Sequence, residues 1–148
     1  EEALKHVDRH FEQHEFSLNL ADELLMAKMD VALMIQVIVN LINNAVKYTP
    51  INSKIKLQTK KFNDELVLEV SDNGPGITDK AKERIFDLFY TDENRQVDSK
   101  RGLGLGLSLC KSIILAHGGQ IYVKDNQPNG AIIGFKLPLE EVLISDEQ

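Results

Sequence analysis

Cysteine and long apolar runs are scarce or missing from this 148-residue chain, and each shortage removes a class of protein. With Cys110 as the only cysteine, neither a disulfide framework nor a cysteine-built metal site is available, and a reducing compartment is the natural setting. Its apolar neighbours mark it as a buried structural thiol. No stretch approaches the roughly 18 apolar residues of a membrane span, and residues 1–20 lack the apolar centre of a signal peptide, so a soluble segment is expected. Basic residues are outnumbered 17 to 23 by acidic ones and form no long cluster, which argues against nucleic acid as a partner. Repeats and low-complexity tracts are also absent. What remains is a single domain, 1–148, large enough for one core. It opens on the helical pattern EEALKHVDRHFEQH, as a piece cut from a longer protein would, and is expected to be monomeric as a fragment.

Hydrophobic periodicity orders the elements. Ala3, Leu4, Val7 and Phe11 share one face of a first helix over 2–14, followed by short strands near 15–20 and 24–28. Asp30 is a suitable N-cap for a long helix to about Tyr48, ended by Thr49–Pro50. The runs 54-KIKLQTKKF and 65-ELVLEVS alternate with period two around Asn63–Asp64, predicting a hairpin. The turn 72-DNGPGI precedes a helix predicted over 79–88. Residues 91–101 are polar and read as a mobile loop. A helix is predicted from about Leu105 to Ala116, stopped by Gly118–Gly119, and then two strands joined by 126-NQPNG. Hairpins in place of regular β-α-β alternation predict an α+β, two-layer sandwich: a mixed, mainly antiparallel sheet on three to four helices.

Three stretches carry more than folding requires. On the long helix, at about 100° per residue, Gln36, Asn40, Asn43, Asn44 and Lys47 fall within a stripe about 100° wide, and nearly all the rest is apolar. A solvated stripe usually carries Glu, Lys and Arg in place of three asparagines. Carboxamide oxygens suit a hard cation, carboxamide hydrogens suit phosphate oxygens, and Lys47 adds positive charge. Asp72 closes an apolar strand and opens DNGPG; beyond turn formation, its carboxylate suits an exocyclic amine such as that of adenine, and Gly74 and Gly76 permit close approach of a flat ring. Finally, 102-GLGLGLSLC alternates glycine with leucine into a helix start, where backbone N–H groups and the helix dipole favour phosphate. It is neither a Walker loop nor a dinucleotide fingerprint.

The segments 40-NLINNAVKYT, 72-DNGPGI, 86-FDLFY, 102-GLGLGLSL, 117-HGGQI and 130-GAIIGFKLP resemble, in order and spacing, the N, G1, F and G2 boxes and closing strands of the ATP-binding domain of sensor histidine kinases. Within that family the run from 89 to 119 and the NQPNG ending look most like the branch that senses potassium and osmotic stress. The resemblance implies a Bergerat-type fold holding ATP and Mg²⁺, with residues about 91–101 as an ATP lid. By the same analogy Asn44 binds Mg²⁺, Asn40 and Lys47 contact phosphate or its water shell, and Tyr48 lies against the nucleotide. Asp72 reads the adenine amine beside Gly74 and Gly76. Gly102, Leu103, Gly104, Leu105, Gly106 and Leu107 form the phosphate loop, and Lys100 and Arg101 add charge from the lid. The bound ion's charge explains how an acidic domain would hold a polyanion.

Hydrolytic cousins of gyrase, Hsp90 and MutL type carry a glutamate where this chain has Asn40, one turn before the metal-binding Asn. A neutral carboxamide cannot accept a proton from water, so the resemblance implies phosphoryl transfer to a nucleophile on another domain. The family's phosphoacceptor motif is not matched here: His14-Glu15 continues Phe-Ser-Leu. His6, His10 and His14 read as a solvated helix flank, and His117 as a partner for a helix C-terminus. The implied partners are an acceptor dimerisation domain of the same protein and a response regulator; the implied location is the cytoplasmic part of a membrane sensor that is dimeric when whole. A hydrolytic ATPase and a non-catalytic nucleotide-sensing module remain as alternatives.

Overall fold

A computed structural model describes residues 14–19, 30–88, 90 and 106–139. The elements among them are β1 (Glu15–Asn19), α1 (Val31–Lys47), β2 (Lys54–Phe62), β3 (Glu65–Asp72), α2 (Asp79–Lys82), α3 (Gly106–Ala116), β4 (Gln120–Asp125) and β5 (Ala131–Pro138). The helix expected over 2–14, the strand near 24–28 and the loop 91–101 lie outside the described residues. Five strands form one sheet in the order β1-β2-β3-β5-β4, with β1 parallel to β2 and every other pair antiparallel. This is the mixed sheet and α+β sandwich anticipated above.

Alternation decides which face of the sheet is covered. Ile55 and Leu57 of β2, Leu68 and Val70 of β3, and Ala131, Ile133, Phe135 and Leu137 of β5 point to one side and join Met34, Val37, Leu41, Ile42, Ala45 and Val46 of α1 in a single core. Burying the five larger of those helix side chains is worth on the order of 10 kcal/mol before ordering entropy is subtracted. A 17-residue helix is marginal alone, so this contact is what holds α1. On the opposite face Tyr122 lies across Gly134 and donates to the buried Glu69 carboxylate at 2.5 Å. Burial, reinforced by Glu69, pushes the Tyr122 phenol well above its usual range.

Local chemistry sets the ends. Asp30 Oδ1 accepts from Leu33 N at 3.1 Å, as an N-cap should. The Asp30 N–H donates to His117 Nε2 at 3.0 Å. Its acceptor role leaves the proton on Nδ1, which donates to Ile113 O at 2.7 Å. One imidazole thus ties the start of α1 to the end of α3. The β2–β3 hairpin turns through Asn63 and Asp64 at φ 52° and 64°, the left-handed pair that a two-residue loop demands.

Two expectations need correction. The helix predicted over 79–88 is only Asp79–Lys82, capped by Thr78 Oγ1 on Ala81 N at 3.1 Å; the chain then turns so that Ile85 and Phe86 reach the core. Packing those two side chains overrides the helical period. His14 is not on a solvated flank: it is half-buried, and its Nε2 lies 2.9 Å from Thr49 Oγ1.

The α3 exit is a Schellman motif. Gly119 N donates to Ile114 O and Gly118 N to Leu115 O, both at 3.0 Å, with Gly118 at φ +77°. A Cβ on Gly119 would sit 2.1 Å from Lys136 O of β5. We therefore expect Gly119→Ala to lower the unfolding free energy by about 2 kcal/mol or more and Gly118→Asn by less than about 1 kcal/mol, since Asn tolerates the left-handed region. Urea denaturation of the two variants checks the order.

Candidate functional site

The polar stripe of α1 faces a cavity of about 250 Å³ lined by Asn40, Asn43, Asn44, Lys47, Tyr48, Ile85, Tyr90, Gly106 and Leu107. Seven residues of helix at about 1.5 Å each spread these groups over roughly 10 Å, from Asn40 to Lys47, along one wall. The start of α3 forms part of the facing wall. Among the described residues, a Cβ on Gly106 would meet nothing nearer than Asn40 Cγ at 3.9 Å, so their packing does not require glycine there. Asn40, Asn44, Lys47, Tyr48, Gly106 and Leu107, all singled out from the sequence, therefore share one surface. Lys100, Arg101, Gly102, Leu103, Gly104 and Leu105 lie outside the described residues.

Asp72, Gly74 and Gly76 do not line that cavity. Asp72 is 5% exposed, and its Oδ1 accepts from Gly74 N at 2.9 Å and from Ala131 N at 3.3 Å. Its turn nevertheless abuts the end of α1. A Cβ on Gly74 would lie 2.7 Å from Thr49 Cγ2, and Thr49 directly follows Tyr48. Gly76, at φ +83°, lines a second cavity of about 390 Å³ with Pro75, Ile77, Thr78 and the loop 125–130. Although larger, that cavity has no Lys or Arg and one carboxylate, Asp125, among its described lining residues, and so is poorly suited to a polyanion.

Two further lining residues are Ile85 and Tyr90, to which the sequence alone assigns no contact, although Tyr90 ends the 86-FDLFY box. They share the lining with Lys47 and Tyr48, and the Arg84 guanidinium sits 5.1 Å from the Tyr90 ring centroid. The signal was present as the apolar group 85-IFDLFY immediately before a long polar run. Asn43 belonged to the stripe but had no assigned function.

Behind the wall, the Asn40 side chain hydrogen-bonds Cys110, whose Sγ donates weakly to Val37 O at 3.7 Å. The expected structural thiol is fully buried at the α1–α3 contact. A metal fits this donor set only if other ligands complete its coordination shell. Among the described residues no three His, Cys, Asp or Glu side chains gather into a cage, whereas magnesium commonly takes one or two protein oxygens and fills its octahedron with phosphates and water. The Asn44 carboxamide oxygen, in a wall with Asn40 and Asn43, meets that requirement.

The family described as histidine kinase-, DNA gyrase B- and HSP90-like ATPases matches residues 29–141. The chain belongs to that family. Sensor protein KdpD of Clostridium acetobutylicum is 38% identical over 139 residues, covering 94% of this chain and 15% of that protein. Other relatives, bearing the names of different sensor kinases, are 35 to 42% identical. Among solved structures, the mycobacterial sensor histidine kinase MprB aligns with a TM-score of 0.83 at 26% identity over 95% of this chain and 93% of that one. Full-length ShkA in complex with AMPPNP aligns at 0.76 and 27% identity, covering 95% of this chain and 29% of that one. The domain is thus an ATPase-fold module of the sensor-kinase type, and it spans a small part of its curated relatives. Among the described residues no helix is long and apolar enough to cross a membrane.

The Cys110 environment yields a measurable consequence. Burial pushes its thiol up from 9.0 to about 12, opposed only in part by the Asn40 hydrogen bond. The fold favours the protonated thiol, so this contribution is whole below pH 9 and is lost as pH rises toward 12. Unfolding free energies from urea titrations between pH 9 and 11 should decline more steeply for the parent than for Cys110→Ala, the difference approaching about 1.4 kcal/mol per pH unit. At pH 8, iodoacetamide should label Cys110 no faster than the protein unfolds.

Proposed function

We propose that this domain binds Mg·ATP between α1 and the start of α3 and passes the γ-phosphoryl group to a histidine on an adjoining dimerisation domain, for onward transfer to a response regulator. The observation that carries the reading is the convergence of Asn40, Asn44, Lys47, Tyr48 and Gly106 on one cavity in a chain of this family. Lys47 offsets phosphate charge and Tyr48 offers a ring to the nucleotide. Gly106 brings backbone N–H groups at a helix start within reach of phosphate oxygens. Asn44 supplies a neutral oxygen to magnesium, and the ion, when bound, screens the triphosphate within an acidic domain. Asp72, held at the strand end beside Gly74 and Gly76, reads the exocyclic amine of adenine. The phosphate loop continues through Gly102, Leu103, Gly104 and Leu105, with Lys100 and Arg101 adding charge.

Asn40 decides between transfer and hydrolysis. Its carboxamide has no basic lone pair with which to take a proton from water, and its bond to the Cys110 thiol gives it no acid–base partner. Positioning and charge neutralisation are what remain for this domain to contribute. The finer reading, a KdpD-type kinase in the potassium and osmotic-stress branch, rests on the 38% identity over nearly the whole chain. By the same analogy the whole protein is a dimeric membrane sensor with this domain on the cytoplasmic side.

Calorimetry tests the site. Asn44→Ala should weaken Mg·ATP binding at least ten-fold while leaving metal-free ATP binding within two-fold; equal binding of Mg·ATP by variant and parent would remove Asn44 from the metal. Incubation with γ-labelled ATP tests the reaction. Label should move to a supplied acceptor helix pair, with little free phosphate from the domain alone. Brisk phosphate release would instead mark a hydrolytic ATPase, and binding without any transfer a sensing module.

A further inference from the structure

The β4–β5 loop, 126-NQPNG, does not line the α1 cavity, yet it makes a dense set of contacts with the Asp72 turn. Asn126 Nδ2 donates to Asp72 O at 2.7 Å. Asn129 Nδ2 donates to Asn73 O at 2.6 Å and to Gly74 O at 3.2 Å. Three successive turn carbonyls are thus held by two carboxamides. The Asn126 orientation is fixed independently, because its Oδ1 accepts from Gln127 N at 2.9 Å and so its Nδ2 must face the turn. Gly130 brings the loop backbone against the turn: at φ +108°, a Cβ there would lie 1.9 Å from Asp72 O.

The peptide unit between Asn73 and Gly74 is gripped at both ends. Its carbonyl accepts from Asn129, and its N–H donates to Asp72 Oδ1 at 2.9 Å. Ala131 N, the first residue after the loop, reaches the same Oδ1 at 3.3 Å. Rotation of that peptide would withdraw a donor from the carboxylate, so the loop's hold on the carbonyl is also a hold on the direction of the Asp72 side chain. From the other side Asn73 Oδ1 accepts from Lys54 N at 2.7 Å, which anchors the turn to β2 and leaves the 73–74 peptide as the part the loop controls.

We propose that Asn126 and Asn129 are positioning residues that set the Asp72 carboxylate for purine discrimination, acting through the turn without touching the base. The proposal rests on the reading of Asp72 as the adenine contact. Neither residue has a charge or a place in the α1 cavity, so their effect falls on the identity of the base and not on the triphosphate.

The test uses Asn129→Ala, at an exposed site outside the core, and the Asn126→Ala/Asn129→Ala pair. Amide exchange in the absence of nucleotide is read at Gly74 against the sheet amides Val70 and Ile133. Gly74 should exchange at least ten-fold faster in both variants, with the sheet amides unchanged. Calorimetry then compares Mg·ATP with Mg·ITP, whose base carries oxygen in place of the amine. The preference for ATP should fall at least five-fold toward the value of Asp72→Ala, with ITP affinity kept within two-fold. Unchanged Gly74 exchange, an unchanged preference, or parallel loss of both nucleotides would overturn the proposal. If the parent itself binds ATP and ITP alike, the reading of Asp72 falls and takes the proposal with it. That outcome is seen before any variant is made, and so is distinct from a variant that keeps the parent's preference.

Discussion

Burial of one face of α1 against the sheet and α3 is the constraint from which the rest of the structure follows. Val37, Leu41, Ile42, Ala45 and Val46 fix the rotation of the helix about its axis, because turning it by one residue would move them out of the core. With that rotation fixed, Asn40, Asn43, Asn44 and Lys47 can only point to the cavity. The direction of the polar wall is therefore set by apolar packing, with the Asn40–Cys110 hydrogen bond behind it. The same contact brings α3 close enough for Gly106 to face Asn40 and for Cys110 to sit under it.

A second device, backbone hydrogen bonding, fixes the Asp72 turn. Loop carboxamides, the Asn73 side chain and two N–H groups on Asp72 Oδ1 hold a segment with little apolar surface of its own. The two devices meet where Gly74 presses on the Thr49 methyl group, at the end of α1. Thr49 is itself anchored, donating to Ala45 O at 2.7 Å and lying 2.9 Å from His14 Nε2. A rigid helix and a hydrogen-bonded turn therefore stand side by side, each fixed by a different kind of interaction.

Much of this was legible in the sequence because the relevant signals are local. Asp30 before an apolar period of 3.6, the Asn63–Asp64 pair between alternating strands, and Gly118–Gly119 after a helical run each name their own structure. The asparagine stripe was visible as a departure from the charged face that solvent usually selects. What could not be read depended on distant partners. The segment 83–88 has helical periodicity, but Ile85 and Phe86 are drawn to a core contributed by other elements, and the helix ends at Lys82. His14 looked solvated because its partner Thr49 lies 35 residues away. The hydrogen bonds of Asn126 and Asn129 were hidden for the same reason: NQPNG reads as a turn, and nothing in it says which carbonyls its side chains will meet.

The account stands or falls on where a triphosphate nucleotide sits. A crystal structure of the domain with magnesium and a non-hydrolysable ATP analogue is the most direct measurement. The account predicts phosphates against Asn40, Asn44, Lys47 and Gly106, the metal on the Asn44 carboxamide oxygen, and the purine toward Asp72 and Gly74. A nucleotide lodged instead in the cavity between Pro75–Thr78 and the loop 125–130, with the α1 wall bare, would contradict it.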